Sequence, residues 1–513
     1  MSVKSPSRVG GLGFVGSRLQ MFYSKRTLPS GVETLLSLST FNKVALDRNP
    51  SPIGNVISTY LISGLDLALL ITTTVFIPAL ATKEDFGSYR RIVIYAGYAG
   101  FLHFGVLNGL YLMLLGKSIG QEQIRLASAV RRLLLLLQVL IVPLGCLLLL
   151  CVVNGPNQKI VILAVAIAWV GSNVTTFHNY FWQATNNFGA YVKVNGASRI
   201  ISLIVVGAII IYGKVSTVSL AILFVLPILT SAGLYELVWR RVVTEPERAP
   251  QDIGPVWKRG VVLFGANIAT SLLFTSDKLC LSWMVRPDIF ASYALAYTLT
   301  NAFATLTESL GSALVPHLAR PEGRARNDWV TFGLQSALIS SSAAAFWVSS
   351  AVARRLYPGY TDLNQILWPL ACAAPFSVFL RLCINARAVA FGMEARLLRL
   401  AISGAAMMLI TAQGTLLFTT SLRTMAIVWS AGILLTAMIG WIYIGRCFRG
   451  DDDAARLFRT AVISTMCFVA CSAYPNQTIS FVLYATCVVL QILCLVGKTR
   501  NICLRESLPT GCK

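Results

Sequence analysis

The chain is dominated by a succession of long apolar segments separated by short polar ones. Most of these segments are long enough to cross the ~30 Å hydrocarbon core of a bilayer as α-helices. Because backbone groups in lipid must be satisfied within the segment, isolated strands are excluded. We predict an all-α polytopic membrane protein with about fourteen transmembrane helices. The predicted spans are 54–81, 92–115, 133–153, 160–182, 198–213, 217–238, 260–284, 289–316, 329–352, 365–386, 400–421, 424–445, 460–475 and 478–497.

Composition supports this fold class. The chain has 513 residues, of which 56% are hydrophobic and 12% charged, with a mean hydropathy of +0.68. A soluble protein needs more charge to cover its surface. The twelve cysteines and three histidines show no spacing typical of a metal site, so we predict neither a metal nor a cofactor.

The distribution of basic residues predicts the orientation in the membrane. If the N-terminus lies in the cytoplasm, 32 of the 43 Lys and Arg residues fall on the cytoplasmic side and 9 on the outer side. This asymmetry follows the positive-inside rule and places both termini in the cytoplasm. It also accounts for most of the net charge of +22, so nucleic acid is not needed as a partner. Some cytoplasmic cations should contact anionic membrane lipids.

Two parts of the chain share a pattern that indicates duplication. Gly54 and Asp66 in the first span recur as Gly265 and Asp277 in the seventh, 211 residues later. The loops that follow these spans, EDFGSYRR and PDIFASYAL, share a Phe and a Tyr at matching positions. Six spans per half would give two parallel six-helix repeats. The predicted organisation is a cytoplasmic tail (1–53), an N-lobe (54–240), a linker (241–259), a C-lobe (260–445), two further helices (446–497) and a cytoplasmic C-terminal tail (498–513).

The stretch KEDFGSYRRIVIYAGYAGFLHFGVLNGLYLML, residues 83–114, resembles the start of the Wzx-type oligosaccharide flippases. These form the polysaccharide-transporter branch of the multidrug/oligosaccharidyl-lipid/polysaccharide exporter superfamily. In that family the first loop has an acidic residue, Phe-Gly and an aromatic residue, and the second span is rich in glycine and aromatics. The resemblance is clear over residues 54–115 and weaker around 258–316.

This resemblance implies a transporter with two lobes around a central cavity, rather than an enzyme. The implied substrate is an undecaprenyl-pyrophosphate-linked oligosaccharide, carried from the cytoplasmic to the outer leaflet by alternating access for polysaccharide biosynthesis. The implied location is the bacterial inner membrane, where a glycan polymerase and chain-length machinery are candidate partners. The polysaccharides that the resemblance implies are lipopolysaccharide or exopolysaccharide.

Charged residues inside the predicted spans are the candidate site residues. A charge at mid-bilayer costs about 2.5–3.5 kcal/mol on insertion scales, so each should face a cavity or a partner. Our hypothesis is that Lys278 and Arg381 bind the pyrophosphate, and that Asp66, Asp277 and Glu308 balance them or carry a coupling proton. Neighbours on a helix are ~100° apart, so Asp277 and Lys278 should point in different directions. The alternative is that these residues only form ion pairs between helices.

Amide side chains in or beside the spans complete the candidate set. Asn108 and Asn301, and with them Asn267 and Gln183, could hydrogen-bond the sugar, although such residues more often join helices.

Two other function classes stay open at this point. A membrane glycan polymerase or ligase is disfavoured, because the longest predicted outer loop, 353–364, is too short to fold over a substrate. A multidrug exporter of the same superfamily would normally have twelve spans and an acid-rich cation site. The extra spans and the intramembrane Lys and Arg favour an anionic, lipid-linked substrate.

Overall fold

The fold is all-helical over the part of the chain that the computed structural model describes. The described residues are 64–65, 68–69, 72–115, 117, 119–153, 155–185, 188–213, 215–242, 252–301, 328–445 and 453–506. The predicted tail 1–53 and the candidate residues Asp66 and Glu308 lie outside them. After a short helical turn at Ile77–Leu80, the helices are α1 (Lys83–Ala96), α2 (Val106–Leu114), α3 (Gln121–Val152), α4 (Pro156–Ala184), α5 (Phe188–Tyr212), α6 (Thr217–Val242), α7 (Gly254–Met284), α8 (287–301), α9 (Asp328–Ser341), α10 (Ala345–Leu356), α11 (Leu363–Phe379), α12 (Ala386–Ala390), α13 (Glu394–Phe418), α14 (Leu422–Tyr443), α15 (Asp453–Ser472) and α16 (Gln477–Glu506).

The predicted fold class is confirmed. Eleven helical segments of the described chain are long and apolar enough to cross a membrane, or twelve if α1 and α2 form one bent span. Twelve of the fourteen predicted spans have a helical counterpart, and the first and eighth are described only in part. Several helices extend past the predicted apolar limits. For example, α3 begins at Gln121 rather than at 133, because its charged first turns continue the helix beyond the apolar stretch.

The bend between α1 and α2 is built from two residues with left-handed backbone conformations. The helices meet at 68°, and the backbone φ angles are +45° at Phe104 and +85° at Gly105. Glycine adopts this conformation without the steric penalty of a Cβ atom. The indole of Trp257 on α7 donates a hydrogen bond of 2.6 Å to the Phe104 carbonyl. This contact ties the bend to the seventh predicted span.

Helix packing places α7 between the two predicted halves. It packs against α2 and α1 on one side and against α13 on the other. Helices α3 to α6 pack around an aromatic core that includes Phe177, Trp182 and Tyr235. The last two helices, α15 and α16, pack against α9 and bury Tyr484 beside Trp347. Helices α1, α7 and those that follow α10 therefore surround the interior of the described structure, where the candidate site lies.

Candidate functional site

A cavity of about 570 Å³ lies where α1, α7 and α11–α12 approach one another. Its wall is mixed, with hydroxyl and amide groups beside apolar side chains. The residues that line it are Ile94, Gly97, Tyr98, Leu263, Asn267, Thr270, Ser271, Phe274, Thr275, Arg381, Asn385, Ala386 and Val389. The cavity is thus formed by segments from both predicted halves of the chain.

A π-helical segment brings Arg381 to this cavity. The α-helical pattern of α11 changes at Leu380–Asn385 and resumes in α12. Such π segments often occur at functional sites, because the extra residue in the turn redirects side chains. Here Arg381 and Asn385 both line the cavity. The guanidinium of Arg381 lies over the Phe274 ring, 4.0 Å from its centroid, and is hydrogen-bonded to the Tyr297 hydroxyl.

Lys278 lies outside the lining of this cavity. Its side chain is 2% exposed, and its Nζ donates to the Phe274 carbonyl at 2.6 Å and to the Asp277 carboxylate at 2.9 Å. The same Nζ lies 3.3 Å from the centroid of the Tyr297 ring. The prediction that Asp277 and Lys278 point in different directions was therefore wrong. The long, flexible lysine stem lets the ammonium reach back to its neighbour.

Asp277 connects this ion pair to the next helix. Its second carboxylate oxygen accepts a hydrogen bond of 2.6 Å from Tyr293 on α8. Asp277 itself is fully buried. Asp277 therefore balances a cation of its own helix, and its link to the next helix is a hydrogen bond rather than the ion pair between helices that was the alternative.

Breaking this pair from one side should destabilise the protein. Removal of one partner from a buried ion pair leaves an uncompensated charge and costs about 3–5 kcal/mol. We expect Asp277→Asn to lower the free energy of unfolding by that amount, and the double variant Asp277→Asn/Lys278→Met to recover most of it. Thermal unfolding in detergent measures both. Equal losses in the single and double variants would contradict this account of the pair.

Neither Asn108 nor Asn301 is among the described residues that line the cavity with Arg381. Asn108 is 3% exposed on α2, and its Oδ1 atom has no hydrogen-bond partner among the described residues. Asn301 lines a different cavity of about 20 Å³ beside Tyr297 and Trp429. The structure therefore does not bring the predicted substrate ligands together in one place.

Arg90 is a functional candidate that the sequence analysis missed. Its guanidinium lies within electrostatic range of the hydroxyls of Tyr89 and Tyr297, and its Nε atom is buried with no hydrogen-bond partner among the described residues. The signal was present in the sequence. Arg90 follows Phe86 by four residues, which places both on the same face of α1, and Phe86 is buried.

Tyr297 is the common neighbour of three cations. Its ring lies under Lys278, its hydroxyl binds Arg381, and Arg90 is within electrostatic range. Among the described residues, Asp277 is the carboxylate in contact with this cluster, through Lys278. Three cations thus lie close to Tyr297, and cationic groups of this kind bind anionic ligands such as phosphates.

Two close approaches between backbones lie on either side of the cavity along α7, and we call them closures. We call the first the Pro287 contact: a Cβ on Gly87 would lie 1.9 Å from the Pro287 carbonyl oxygen. Arg91 reinforces it by donating to the Val285 carbonyl at 2.7 Å.

The second closure, the Val256 contact, lies near the beginning of α7. A Cβ on Gly109 would lie 1.8 Å from the Val256 carbonyl oxygen, and one on Gly260 would lie 2.0 Å from the Gly105 carbonyl oxygen. Only glycine allows backbones to approach this closely. Both closures join predicted N-lobe helices to α7 or to the beginning of α8.

Comparison with solved structures shows the fold. The chain is similar to the lipid II flippase MurJ in an inward closed conformation, at 12% identity and a TM-score of 0.63, over 88% of this chain and 99% of that one. It is also similar to an inward-facing multidrug resistance MATE transporter of the MOP superfamily, at 13% identity and a TM-score of 0.56, over 82% of this chain and 98% of that one. An outward-facing MATE structure matches at 11% identity and a TM-score of 0.51, over 81% of this chain and 98% of that one. These similarities, all at low identity, show that the chain shares the fold of these proteins.

Comparison of the sequence with family models gives the assignment. No curated protein matches the sequence. The family model described as polysaccharide biosynthesis protein matches residues 55–321, which include α1 to α8 and the glycines of both closures. With a family match over more than half of its length, on a fold shared with MOP transporters, the chain belongs to the polysaccharide biosynthesis protein family.

Proposed function

We propose that the protein flips an undecaprenyl-pyrophosphate-linked oligosaccharide across the membrane. The observation that carries this proposal is the cavity between the two predicted halves, which has Arg381 in its wall. Two further cations, Lys278 and Arg90, lie close to Tyr297. A pyrophosphate link is anionic, and the planar guanidinium group matches phosphate oxygens in geometry and charge. The family assignment and the likeness to a lipid flippase fold support the same substrate class.

The sugar part of the substrate would contact the polar wall of the same cavity. Asn267, Thr270 and Ser271 on α7 and Asn385 after the π segment provide amide and hydroxyl groups there. We assign these residues, in place of Asn108 and Asn301, to the sugar. Lys278 then acts on the site indirectly, because its ammonium holds Tyr297 and Asp277 in position.

Movement would follow alternating access. The Pro287 contact and the Val256 contact close the protein on either side of the cavity. Opening one while the other stays closed would expose the cavity to one side at a time. Our candidates for the coupling proton are Asp277, which contacts Lys278, and Asp66 and Glu308, which lie outside the described residues.

The direction and location of transport rest on the charge of the loops. The excess of Lys and Arg on one side, 32 against 9, supports cytoplasmic termini and transport from the cytoplasmic to the outer leaflet. The location we propose is the bacterial inner membrane. A polymerase and chain-length machinery for lipopolysaccharide or exopolysaccharide would use the product.

A multidrug exporter is the second candidate function. The likeness to MATE structures supports it. The three cations near Tyr297 disfavour it for cationic drugs, since like charges repel in a medium of low dielectric constant.

The test in cells is deletion of the gene in its host, followed by location of the lipid-linked repeat units. A membrane-impermeant sugar-oxidising label applied to intact spheroplasts reads the leaflet. We expect units to accumulate on the inner face, out of reach of the label. Units that reach the outer face but stay unpolymerised would overturn the flippase proposal, and unchanged glycans would favour the drug exporter.

A further inference from the structure

A second site lies away from the cavity, at one end of the α13–α14 pair. A groove of about 600 Å³ is lined by Arg396 and Arg399 on α13 and by Ile439, Ile442 and Tyr443 on α14. None of these residues lines the central cavity. The groove is therefore a separate feature, and an inference about it does not depend on the proposed transport function.

The groove has a cationic wall and an apolar wall. Arg396 and Arg399 are three residues apart, so they lie on the same face of α13. Ile439, Ile442 and Tyr443 are spaced by three and four residues, which places them on one face of α14. Their exposed fractions are 41%, 44% and 36%.

The position of the groove fits the boundary between headgroups and acyl chains. Both helices are candidate membrane spans, and the groove lies where α13 begins and α14 ends. Isoleucines exposed on the outside of a spanning helix contact acyl chains, whereas Tyr and Arg near helix ends extend toward the headgroups. By the distribution of basic residues, this end faces the cytoplasm, where leaflets carry anionic lipids.

We infer that this groove binds an anionic phospholipid, with its phosphate on Arg396 and Arg399 and an acyl chain along Ile439 and Ile442. Arginine suits a phosphodiester because its guanidinium donates two parallel hydrogen bonds to phosphate oxygens. The charge complementarity commits the site to an anionic headgroup rather than a zwitterionic one. The aliphatic wall commits it to a lipid rather than a free anion.

Native mass spectrometry of the full-length protein with phosphatidylglycerol or phosphatidylcholine tests this inference. We expect a phosphatidylglycerol adduct that Arg396→Ala/Arg399→Ala weakens by at least about tenfold, since the loss of a single charge-assisted hydrogen bond already accounts for roughly that factor. The matched control is Arg423→Ala, because Arg423 is exposed at the opposite end of α14. It should bind the lipid as the unaltered protein does.

Further variants and competing ligands in the same experiment separate this inference from its alternatives and from the transport proposal. Arg396→Lys/Arg399→Lys should retain part of the binding, and Arg381→Gln should retain all of it, even if substrate binding is lost. Equal adducts with and without the two arginines would overturn the inference. So would displacement of the adduct by inorganic pyrophosphate, or by a polyprenyl pyrophosphate in preference to phosphatidylglycerol.

Discussion

Replacement of Arg381 by glutamine is expected to reduce flipping at least about tenfold. Glutamine keeps an amide donor but is shorter and removes the charge, and a charge-assisted hydrogen bond contributes about 1.5–3 kcal/mol. Arg381 is the cation that lines the cavity itself, so the loss falls directly on the pyrophosphate. Arg381→Lys should retain part of the activity, because it keeps a charge but loses the planar fork.

The controls for this prediction separate binding from folding. Because Arg381 packs on Phe274 and binds Tyr297, thermal unfolding of each variant must accompany the assay. Arg423→Gln removes an exposed arginine from the beginning of α14, and this variant should flip the substrate normally. Arg90→Gln should also reduce flipping, by less than Arg381→Gln, since Arg90 is within electrostatic range of Tyr297 but is not among the described residues that line the cavity. Unimpaired flipping by a folded Arg381→Gln protein would remove the basis for this site.

Alanine at Gly87 and alanine at Gly109 are expected to block transport in opposite conformations. A Cβ at either position would lie under 2 Å from a carbonyl oxygen, at 1.9 Å and 1.8 Å respectively, so the helices must separate. Gly87→Ala should hold the Pro287 contact open, and Gly109→Ala should hold the Val256 contact open. Both variants should lose most of their flipping, because each removes one of the two closed states.

Accessibility of the cavity distinguishes these two states. In a cysteine-free background, Asn267→Cys places a thiol in the cavity wall, where a membrane-impermeant maleimide can be applied from either side. We expect Gly109→Ala to increase labelling from the Val256 side and Gly87→Ala from the Pro287 side. Gly233→Ala is the matched control, since no atom lies within 4 Å of a Cβ at that position. Labelling of both variants from the same side would contradict the gate assignment.

The fold was predictable from sequence because a bilayer restricts the choices so strongly. Long apolar segments must become helices there, whatever their side chains do. The limits of the helices were less accurate where charged turns continue past the membrane, as at Gln121. The positive φ angles at Phe104 and Gly105 had no equally clear signal, since the left-handed conformation of Phe104 depends on its contact with Trp257.

The candidate site was predictable only in part. The cost of a buried charge pointed to Arg381, and the structure places it in the cavity wall. It pointed equally to Lys278, whose ammonium instead contacts the adjacent carboxylate, an outcome decided by rotamer rather than by helix angle. Arg90 lies in the stretch EDFGSYRR, which the sequence analysis treated as a loop, although α1 begins at Lys83 and brings Arg90 within electrostatic range of Tyr297. The π segment that presents Arg381 also depends on packing and left no recognisable pattern in the sequence.

The most direct test of the central claim is flipping by the purified protein in liposomes. A fluorescent polyprenyl-pyrophosphate disaccharide is incorporated in both leaflets, and an impermeant reductant quenches the outer one. The account predicts that the protein makes the protected half accessible, and that Arg381→Gln reduces this rate at least about tenfold. A protein that leaves the protected half unchanged, while remaining folded and able to export a cationic dye, would contradict the account.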